Sequence, residues 1–204
     1  MQSVSMSFTG LTRRFGRVRA LSSATAEVAG GGVLVVTGSN GAGKSTLLRC
    51  LAGLLAPDSG RIEHVEDGRA LPPEERRLRI GWVAPDLAFY DELTTLENLT
   101  FFAKLRGLPP RRGAELLERV GLPADRDAGA LSSGMRQRLR WAWALLHRPR
   151  ALLLDEPFQN LDSEGEATAR ALVAEHLAAG GLAVIASPVP LEVDGVVCHL
   201  ELAR

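Results

Sequence analysis

The stretch VLVVTGSNGAGKSTLL, residues 33–48, runs from apolar residues through a glycine-rich turn into a leucine-containing segment. A continuous apolar run such as residues 33–37 predicts a strand that is buried on both faces, as in a parallel sheet. The leucines that follow are spaced as on one face of a helix, so a helix is expected to begin near Lys44. The apolar stripe of that helix is predicted to contain Leu47, Leu48, Leu51, Leu54 and Leu55.

The turn between this strand and this helix has a pattern with a defined chemistry. Residues 38–45 match G-x-x-x-x-G-K-[ST], in which the glycines let the backbone fold round an anion with its N–H groups pointing inward. The Lys44 ammonium can reach the β- and γ-phosphates of a nucleotide, and the Ser45 hydroxyl can bind Mg²⁺. The nucleotide-binding residues predicted here are Ser39, Asn40, Gly41, Ala42, Gly43, Lys44, Ser45 and Thr46.

Further strands and helices alternate along the chain. Strands are predicted at residues 61–66, 79–84, 151–155 and 182–187, with a terminal strand region within 191–202, and helices at 95–106, 114–120, 133–147 and 164–179. This alternation predicts a parallel sheet that is covered on both faces, and the helices before residue 151 indicate a side subdomain. Ligands of such sheets bind beyond the carboxyl ends of the strands, so the chemistry is expected after Thr37, Ala84, Leu154 and Ala186.

Two acids, Asp155 and Glu156, stand at the end of the apolar strand of residues 151–155. Charges at such a place are costly unless a cation or a reaction needs them. With the phosphate loop upstream, Asp155 is expected to hold Mg²⁺ and Glu156 to orient an attacking water. The alternative is a strand that merely ends in a solvated turn.

Composition narrows the class of protein. The 204 residues include 24 Lys plus Arg and 24 Asp plus Glu, a formal net charge of zero, so nucleic acid is not expected as a partner. No signal peptide is expected at the start of the sequence, and no apolar stretch approaches the roughly 18 residues that a membrane span needs. Cys50 and Cys198 are expected to be small buried residues in a reducing compartment rather than a disulfide.

Four further motifs carry a resemblance to a known family. Residues 131–139, LSSGMRQRL, resemble the LSGGQ signature of ABC (ATP-binding cassette) ATPases, and residues 93–99, LTTLENL, resemble the entry to their helical subdomain. Residues 160–162 are similar to the family's D-loop, and residues 53–60 to the turn after its first helix. These motifs follow the family's order over nearly the whole chain. The chain therefore resembles an ABC transporter ATP-binding subunit, and among these the small exporter-type cassettes of haem-exporter and ABC-2 systems.

The resemblance implies a fold and a division of the chain. The expected fold is α/β: a P-loop NTPase (RecA-like) core with a mostly parallel sheet, an N-terminal antiparallel β subdomain and an inserted helical subdomain. Residues 1–204 would form a single ABC ATPase domain. Within it, residues 1–85 and 148–204 would form the nucleotide-binding core, and residues 86–147 the helical signature subdomain.

The resemblance also implies an ATPase that uses ATP and Mg²⁺. Glu156 would be the catalytic residue, and Ser45 and Asp155 would hold the metal, with Asp86 as the nearest further candidate. Phe15 would stack on the adenine, unless it is a core phenylalanine beside a turn. The residues expected to contact the nucleotide of a second subunit are Ser132, Ser133, Gly134, Met135 and Asp162.

The chain departs from the family's pattern at three places. Residues 84–87 read APDL, without the glutamine that members usually carry after this strand. Residues 186–188 read ASP where the switch histidine is expected, and Ser133 and Met135 replace a glycine and a glutamine of the signature. The first two departures remove groups that position the water and sense the γ-phosphate. Tight Mg-ATP binding with slow hydrolysis is therefore expected.

The implied partners are a second ABC ATPase subunit, identical or different, and a separate transmembrane permease, on the cytoplasmic face of the inner or plasma membrane. The permease would meet the helical subdomain at an exposed apolar patch of Leu87, Phe89 and Tyr90, unless these residues pack the subdomain. In the helix of residues 133–147, three arginines are expected on a solvated face and two tryptophans in packing: Arg136, Arg138, Arg140, Trp141 and Trp143.

Two alternative functions stay open at this point. One is a degenerate ABC module that binds ATP with little or no turnover, which the missing glutamine and histidine favour. The other is a soluble ABC ATPase that acts in DNA repair or on the ribosome. The single cassette and the absence of a heptad run count against this second alternative.

Overall fold

The computed structural model describes residues 3–109, 111–193 and 196–202. In chain order its elements are β1 (Val4–Phe15), β2 (Val18–Ala29), β3 (Gly32–Thr37), α1 (Lys44–Leu51), β4 (Ser59–Glu66), β5 (Arg69–Ala70), α2 (Pro73–Leu78), β6 (Ile80–Val83), α3 (Thr95–Leu105), α4 (Arg111–Arg119), α5 (Ser133–Leu145), β7 (Ala151–Asp155), α6 (Ser163–Ala178), β8 (Leu182–Ala186) and β9 (Val196–Glu201). A short 3₁₀ turn, Ala128–Ala130, precedes α5.

The central sheet has five strands in the order β6-β7-β8-β3-β9, and each neighbouring pair is parallel. The parallel sheet predicted from the alternation of strands and helices is therefore confirmed. Because all five strands run the same way, their carboxyl ends meet at one edge of the sheet. The strands β3, β6 and β7 end at that edge with Thr37, Val83 and Asp155. This is the edge at which the sequence predicts the ligand-binding residues.

A second, antiparallel sheet forms the N-terminal part of the fold, with strand order β2-β1-β4-β5. Its inward-facing side chains on β1, Val4, Met6, Phe8 and Leu11, are buried. The antiparallel β subdomain implied by the resemblance is thus present, and it covers one face of the central sheet.

Each face of the central sheet packs on its own core. Alternate residues of β3 divide between the two cores, since Val33 and Val35 face α5 and α6, whereas Leu34 and Val36 face α1 and the antiparallel sheet. All four side chains are fully buried. This two-sided burial is the physical reason for the continuous apolar run at residues 33–37.

The apolar stripe predicted for α1 is too long. The helix ends at Leu51, and Gly53 then adopts a positive φ of 70°, which turns the chain out of the helix. Leu47, Leu48 and Leu51 are fully buried, but Leu54 is 64% exposed. Its place on the stripe was therefore wrong.

One of the two cysteine predictions is wrong. Cys50 is buried in the core as expected, but Cys198 is exposed. Cys198 lies on β9, the last strand in the sheet order, where a side chain can face solvent. Both thiols are free. In the described ranges, no helix has the length and hydropathy that crossing a bilayer requires.

The start of α3 is held by a buried asparagine. Thr94 caps the helix and shares reciprocal hydrogen bonds with Glu97, so the segment LTTLENL does begin a helix. The Asn98 side chain is fully buried, its Oδ1 accepts from Tyr90 N at 2.9 Å, and its Nδ2 donates to the carbonyls of Tyr90, Leu93 and Thr94. One side chain thereby pairs the Tyr90 N–H and gives a second donor to three carbonyls that already accept a backbone N–H.

We expect Asn98→Leu to lower the free energy of unfolding by about 2–3 kcal/mol, because it removes four hydrogen bonds of a buried side chain without removing volume and leaves the Tyr90 N–H without its acceptor. Urea denaturation followed by circular dichroism measures the loss. Thr100→Ala, on the same helix, is the control and should change stability by no more than about 0.5 kcal/mol. Equal stability of the two variants would contradict this account of the loop.

Candidate functional site

The turn between β3 and α1 is a glycine-rich loop that the surrounding backbone shapes. Gly43 has φ +98° and stands immediately before the first residue of α1. A Cβ at this position would overlap the carbonyl of Ala20 on β2, so both conformation and space require glycine. The loop therefore approaches β2 as closely as backbone allows, and the N-terminus of α1 is left facing the turn.

Lys44 is buried under this loop, with 6% of its surface exposed. Its ammonium donates to the carbonyls of Gly38 at 2.6 Å and Ser39 at 3.1 Å. Among the described residues, no carboxylate forms an ion pair with it. A buried cation with a free donor position and no counter-charge suits an anionic ligand such as a phosphate chain.

Asp155, at the end of β7, is also buried, and its carboxylate is hydrogen-bonded to the Ser45 side chain. Burial raises the pKa of the Asp155 carboxyl, while the Ser45 hydrogen bond and the Arg49 charge lower it. The charges of Glu156 and Asp86 raise this pKa further. The buried carboxylate thus lies among like charges, where a cation would stabilise its ionised form.

The donor set of Ser45 and Asp155 fits Mg²⁺. A hydroxyl and a carboxylate oxygen are hard ligands, and Mg²⁺ takes its remaining ligands from water and substrate phosphates rather than from a protein cage. The residues that the structure describes contain no cluster of three or more His, Cys, Asp or Glu side chains that could hold a metal. A site of this sparse kind does not need one.

Glu156 follows directly and turns out of the strand. Its φ of +48° is unusual for a residue other than glycine, and its N–H donates to the carbonyl of Ala186 on β8 at 3.0 Å. The carboxylate is half-buried beside Asp155. A group so placed at the carboxyl edge can act on a water near the phosphates.

The Asp86 carboxylate accepts from Arg49 at 2.8 Å, and both side chains are largely exposed. Asp86 does lie near enough to Asp155 to raise its pKa. Because its carboxylate is already paired with a guanidinium, however, the pairing argues against the predicted metal-ligand role of Asp86. The sequence reasoning missed Arg49, although its position one helical turn after Ser45 on α1 is a signal that it faces the same edge.

Phe15 ends β1 with 49% of its surface exposed, so the alternative of a core phenylalanine is wrong. The Arg13 guanidinium lies 5.0 Å from the centroid of its ring. A cleft of about 630 Å³, lined by residues 18–25 and 200–202, adjoins the phosphate loop at Gly41 and Ala42. Its size is within the range of small-molecule sites.

The signature segment caps α5 and packs on the turn before α6. Ser132 accepts from Met135 N at 3.2 Å through its hydroxyl, and both Ser132 and Ser133 are exposed. A Cβ at Gly134 would lie 2.7 Å from the carbonyl of Asn160, so glycine permits the close approach of the two segments. Asp162 caps α6 by accepting from Gly165 N at 2.9 Å. The predicted signature and D-loop residues therefore share one surface.

The family model described as ABC transporter matches residues 21–159 of the chain, about two thirds of its length. The chain belongs to the ABC transporter family. It is similar to the Fe(3+) ions import ATP-binding protein FbpC of Mesorhizobium japonicum, at 42% identity over 185 residues that cover 86% of this chain and 51% of that protein. It is also similar to the bacitracin transport ATP-binding protein BcrA of Bacillus licheniformis, at 35% identity over 198 residues, 95% of this chain and 65% of that protein.

A solved ATP-binding subunit of an ABC transporter has the same fold, with a TM-score of 0.78 and 28% identity over 89% of this chain and 78% of that chain. The fold class implied by the resemblance is therefore confirmed. This ABC chain spans 44 to 51% of the length of the first curated relatives that it matches.

The prediction of a solvated arginine face on α5 of this cassette is wrong. Because the three arginines are two residues apart on a helix, their side chains point in different directions. Arg136 pairs with Asp91 at 3.2 Å and Arg138 with Asp162 at 2.6 Å. Arg140 contacts the loop after β6. Trp141 is fully buried and Trp143 is half-buried, so the prediction that both tryptophans pack is confirmed.

The predicted apolar patch of the cassette also needs correction. Phe89 is buried, because its side chain joins the core beneath the loop, and Leu87 packs partly against both cores. Tyr90 remains 49% exposed, and its ring contacts that of Phe101 with a centroid distance of 5.3 Å. In the described part of residues 86–147, the exposed large apolar side chains are Tyr90, Phe101 and Leu105.

The place of the switch histidine is occupied by Ser187 and Pro188. Ser187 is buried, its N–H donates to Val36 O at 3.0 Å, and its hydroxyl accepts from Val189 N at 3.2 Å. His147 and His176 contact the carbonyls of the first residues of β6 and β8, at the opposite edge of the sheet. Neither imidazole can therefore reach the carboxyl edge of the sheet.

Removing the charge of Asp155 and removing that of Asp162 should have opposite effects on the stability of the folded protein. Burial raises the pKa of Asp155 above 3.8. Its ionisation in the folded protein therefore lowers stability as the pH rises above 3.8 and through the raised pKa. Asp162 has a pKa lowered by the Gly165 amide and then Arg138, so its ionised form adds stability above pH 3.8, which is lost as the pH falls through the lowered pKa.

We therefore expect Asp155→Asn to raise the melting temperature of the nucleotide-free protein at neutral pH, and Asp162→Asn to lower it. The Asp155→Asn difference should shrink as the pH falls through the raised pKa of Asp155, whereas the Asp162→Asn difference should persist until the pH falls below 3.8 toward the lowered pKa of Asp162. Thermal unfolding by circular dichroism across this range measures them. A lower melting temperature for Asp155→Asn at neutral pH would contradict the assigned burial cost.

Proposed function

We propose that the chain binds and hydrolyses Mg-ATP as the motor subunit of an ABC transporter. The observation that carries the proposal is the pairing, at one sheet edge, of a buried ammonium without a counter-charge and a buried carboxylate among like charges. A magnesium-bound triphosphate would bring phosphate oxygens to the ammonium and a cation to the carboxylate. Family membership supports the same conclusion.

Each residue of the edge has a distinct proposed role. Lys44 and the loop amides hold the β- and γ-phosphates, and the Phe15 ring stacks on the base. Ser45 and Asp155 would hold Mg²⁺, which when bound neutralises charge on the phosphates. The loop residues that complete the cradle are Ser39, Asn40, Gly41, Ala42, Gly43 and Thr46.

Glu156 is the proposed catalytic residue. Its carboxylate accepts a proton from water as the water oxygen bonds to the γ-phosphorus, and the bond from that phosphorus to the β-γ bridging oxygen breaks to give ADP and phosphate. Pro85 and Pro188 bring neither an amide nor an imidazole to this water. We propose that hydrolysis is slow for this reason, while binding, which depends on the phosphate loop, stays tight.

A second cassette is the proposed partner across the nucleotide. Ser132 and Ser133 are exposed at the N-terminus of α5, whose dipole and amides favour an anion. We propose that this surface, completed by Gly134, Met135 and Asp162, covers the γ-phosphate bound to the other subunit. The same chain, or a different cassette, can supply that subunit.

The helical region of residues 86–147 is the proposed contact with a membrane permease. Tyr90, Phe101 and Leu105 form an exposed apolar surface there, of the kind that marks a docking site. The chain would then lie at the cytoplasmic face of the membrane. The likeness to a bacitracin transport protein over 95% of this chain supports a role in a transporter.

Two variants test the proposal. Lys44→Ala should weaken ATP binding at least about tenfold in calorimetry, because it removes the buried cation. Glu156→Gln should bind ATP within about twofold of the wild type but hydrolyse it at least about 100-fold more slowly. The exposed Glu118 provides the control Glu118→Gln, which should change neither quantity.

The outcomes separate the candidate functions. Unchanged affinity in Lys44→Ala would reject the nucleotide site. Tight binding without any turnover in the wild type would instead support the degenerate module, which binds ATP without hydrolysing it. Fast turnover would contradict the proposal of slow hydrolysis.

A further inference from the structure

The side chain of Arg140 on α5 joins two carbonyls of the loop after β6 to a side chain of its own helix. Its Nη2 donates to the carbonyl of Pro85 at 2.6 Å and its Nε to that of Leu87 at 3.3 Å. Its Nη1 donates to Oε1 of Gln137 at 2.9 Å. Each guanidinium nitrogen thus has a different acceptor, two in the loop after β6 and one on the same helix.

Gln137 continues this chain of hydrogen bonds to the loop after β7. The side chain is 3% exposed, and its Nε2 donates to the carbonyl of Pro157 at 2.8 Å. The indole Nε1 of Trp141 donates to the same carbonyl at 3.0 Å. Because Arg140 occupies Oε1, the amide is oriented with its donor toward Pro157, and a flipped amide would place two acceptors together.

The carbonyl that receives both bonds belongs to Pro157, the residue after Glu156. Glu156 has a positive φ of 48°, a conformation that is sterically disfavoured for an L-residue and persists only where the surroundings hold it. On one side its N–H donates to Ala186 of β8. On the other side α5 holds the carbonyl of Pro157, one peptide group beyond the one that joins Glu156 to Pro157. The segment of Glu156 and Pro157 is therefore held at one end by β8 and at the other by α5.

We propose that Arg140 is a positioning residue for the Glu156 carboxylate, acting through Gln137 by tying the loop of residues 85–87 to the peptide group of Pro157. The inference rests on the catalytic role proposed for Glu156. Arg140 itself does not touch the substrate. Its effect is on the geometry of the carboxylate, and misplacement of a catalytic group by about 1 Å can lower a rate about 100-fold.

The chemistry of the guanidinium makes this role specific. Three donors in a rigid plane reach three acceptors at once, which a single ammonium on a flexible stem does not do. Lysine at this position would keep the charge and part of the contact. Methionine would keep the apolar stem alone. The pair of variants therefore separates geometry from charge and from packing.

The kinetic test compares Arg140→Met and Arg140→Lys with the wild type in steady-state Mg-ATP hydrolysis. We expect kcat to fall about 10- to 100-fold in the Met variant and by a smaller factor in the Lys variant, with KM and calorimetric ATP affinity within about twofold. Arg119→Met, which removes an arginine that pairs with Glu175 on α6, is the control and should keep the wild-type kcat.

A second readout does not depend on activity. The indole N–H resonance of Trp141, assigned with Trp141→Phe, reports the bond to Pro157 in the full-length protein. It should shift in Arg140→Met and stay unchanged in Arg119→Met. Gln137→Glu, which keeps the acceptor for Arg140 but removes the donor to Pro157, should lower kcat by the same range and serves if Arg140→Met does not fold.

The inference would be overturned by wild-type kcat in Arg140→Met or in Gln137→Glu, by full restoration of kcat by lysine, or by a loss of ATP affinity equal to the loss of kcat. An unmoved Trp141 resonance in Arg140→Met would overturn it as well. If Glu156→Gln hydrolysed ATP at the wild-type rate, the proposed function would fail instead, and the Trp141 resonance would still test the link to Pro157.

Discussion

The burial of one ammonium group at the bend between β3 and α1 is the constraint on which the site depends. An unpaired charge in such a place is costly, so the loop carbonyls must compensate it and a ligand must complete it. The bend can hold Lys44 there because β3 lies inside the sheet, between β8 and β9, and α1 packs on its face. Both cores of the fold thus contribute to positioning one side chain.

The charged groups at the carboxyl edge of the sheet form two clusters, one around Lys44 that lacks an anion and one around Asp155 that lacks a cation. Around Lys44 the structure provides backbone carbonyls, whereas around Asp155 it gathers the further acids Glu156 and Asp86, with Arg49 as the cation that offsets them. Such an arrangement is poorly balanced on its own. A ligand that is itself dipolar, with a metal at one place and phosphate oxygens at another, would balance both clusters at once.

The sequence predicted those elements whose pattern of apolar residues or capping residues is regular. β3, β7 and β8 are continuous apolar runs, and α3 and α6 have clear caps, so their existence and approximate ends could be read directly. β1 and β2 were less accessible, because irregularities in their register between Phe8 and Arg14 break the alternation of apolar and polar residues. The six-residue α2 is too short to show a helical period.

The site was predictable where one segment carries the chemistry, as in the phosphate loop and the acids after β7. It was not predictable where two segments meet. Spacing on α5 could not reveal that Arg140 faces the loop after β6, nor that Asp86 pairs with Arg49, because both contacts are created by tertiary packing. The exposed Phe15 and the buried Phe89 show the same limit for single aromatic residues.

The unequal burial of the two thiols gives the protein a natural attachment point for a dye. Cys50 is sealed in the core, so a thiol-directed fluorophore would react at Cys198 alone, without any engineered cysteine. The strand that carries it runs beside β3, and its residue Glu201 is in register with Thr37, the last residue before the phosphate loop. A dye would thus be attached to the strand beside β3 in the unmutated chain, at Cys198, which is in register with Leu34.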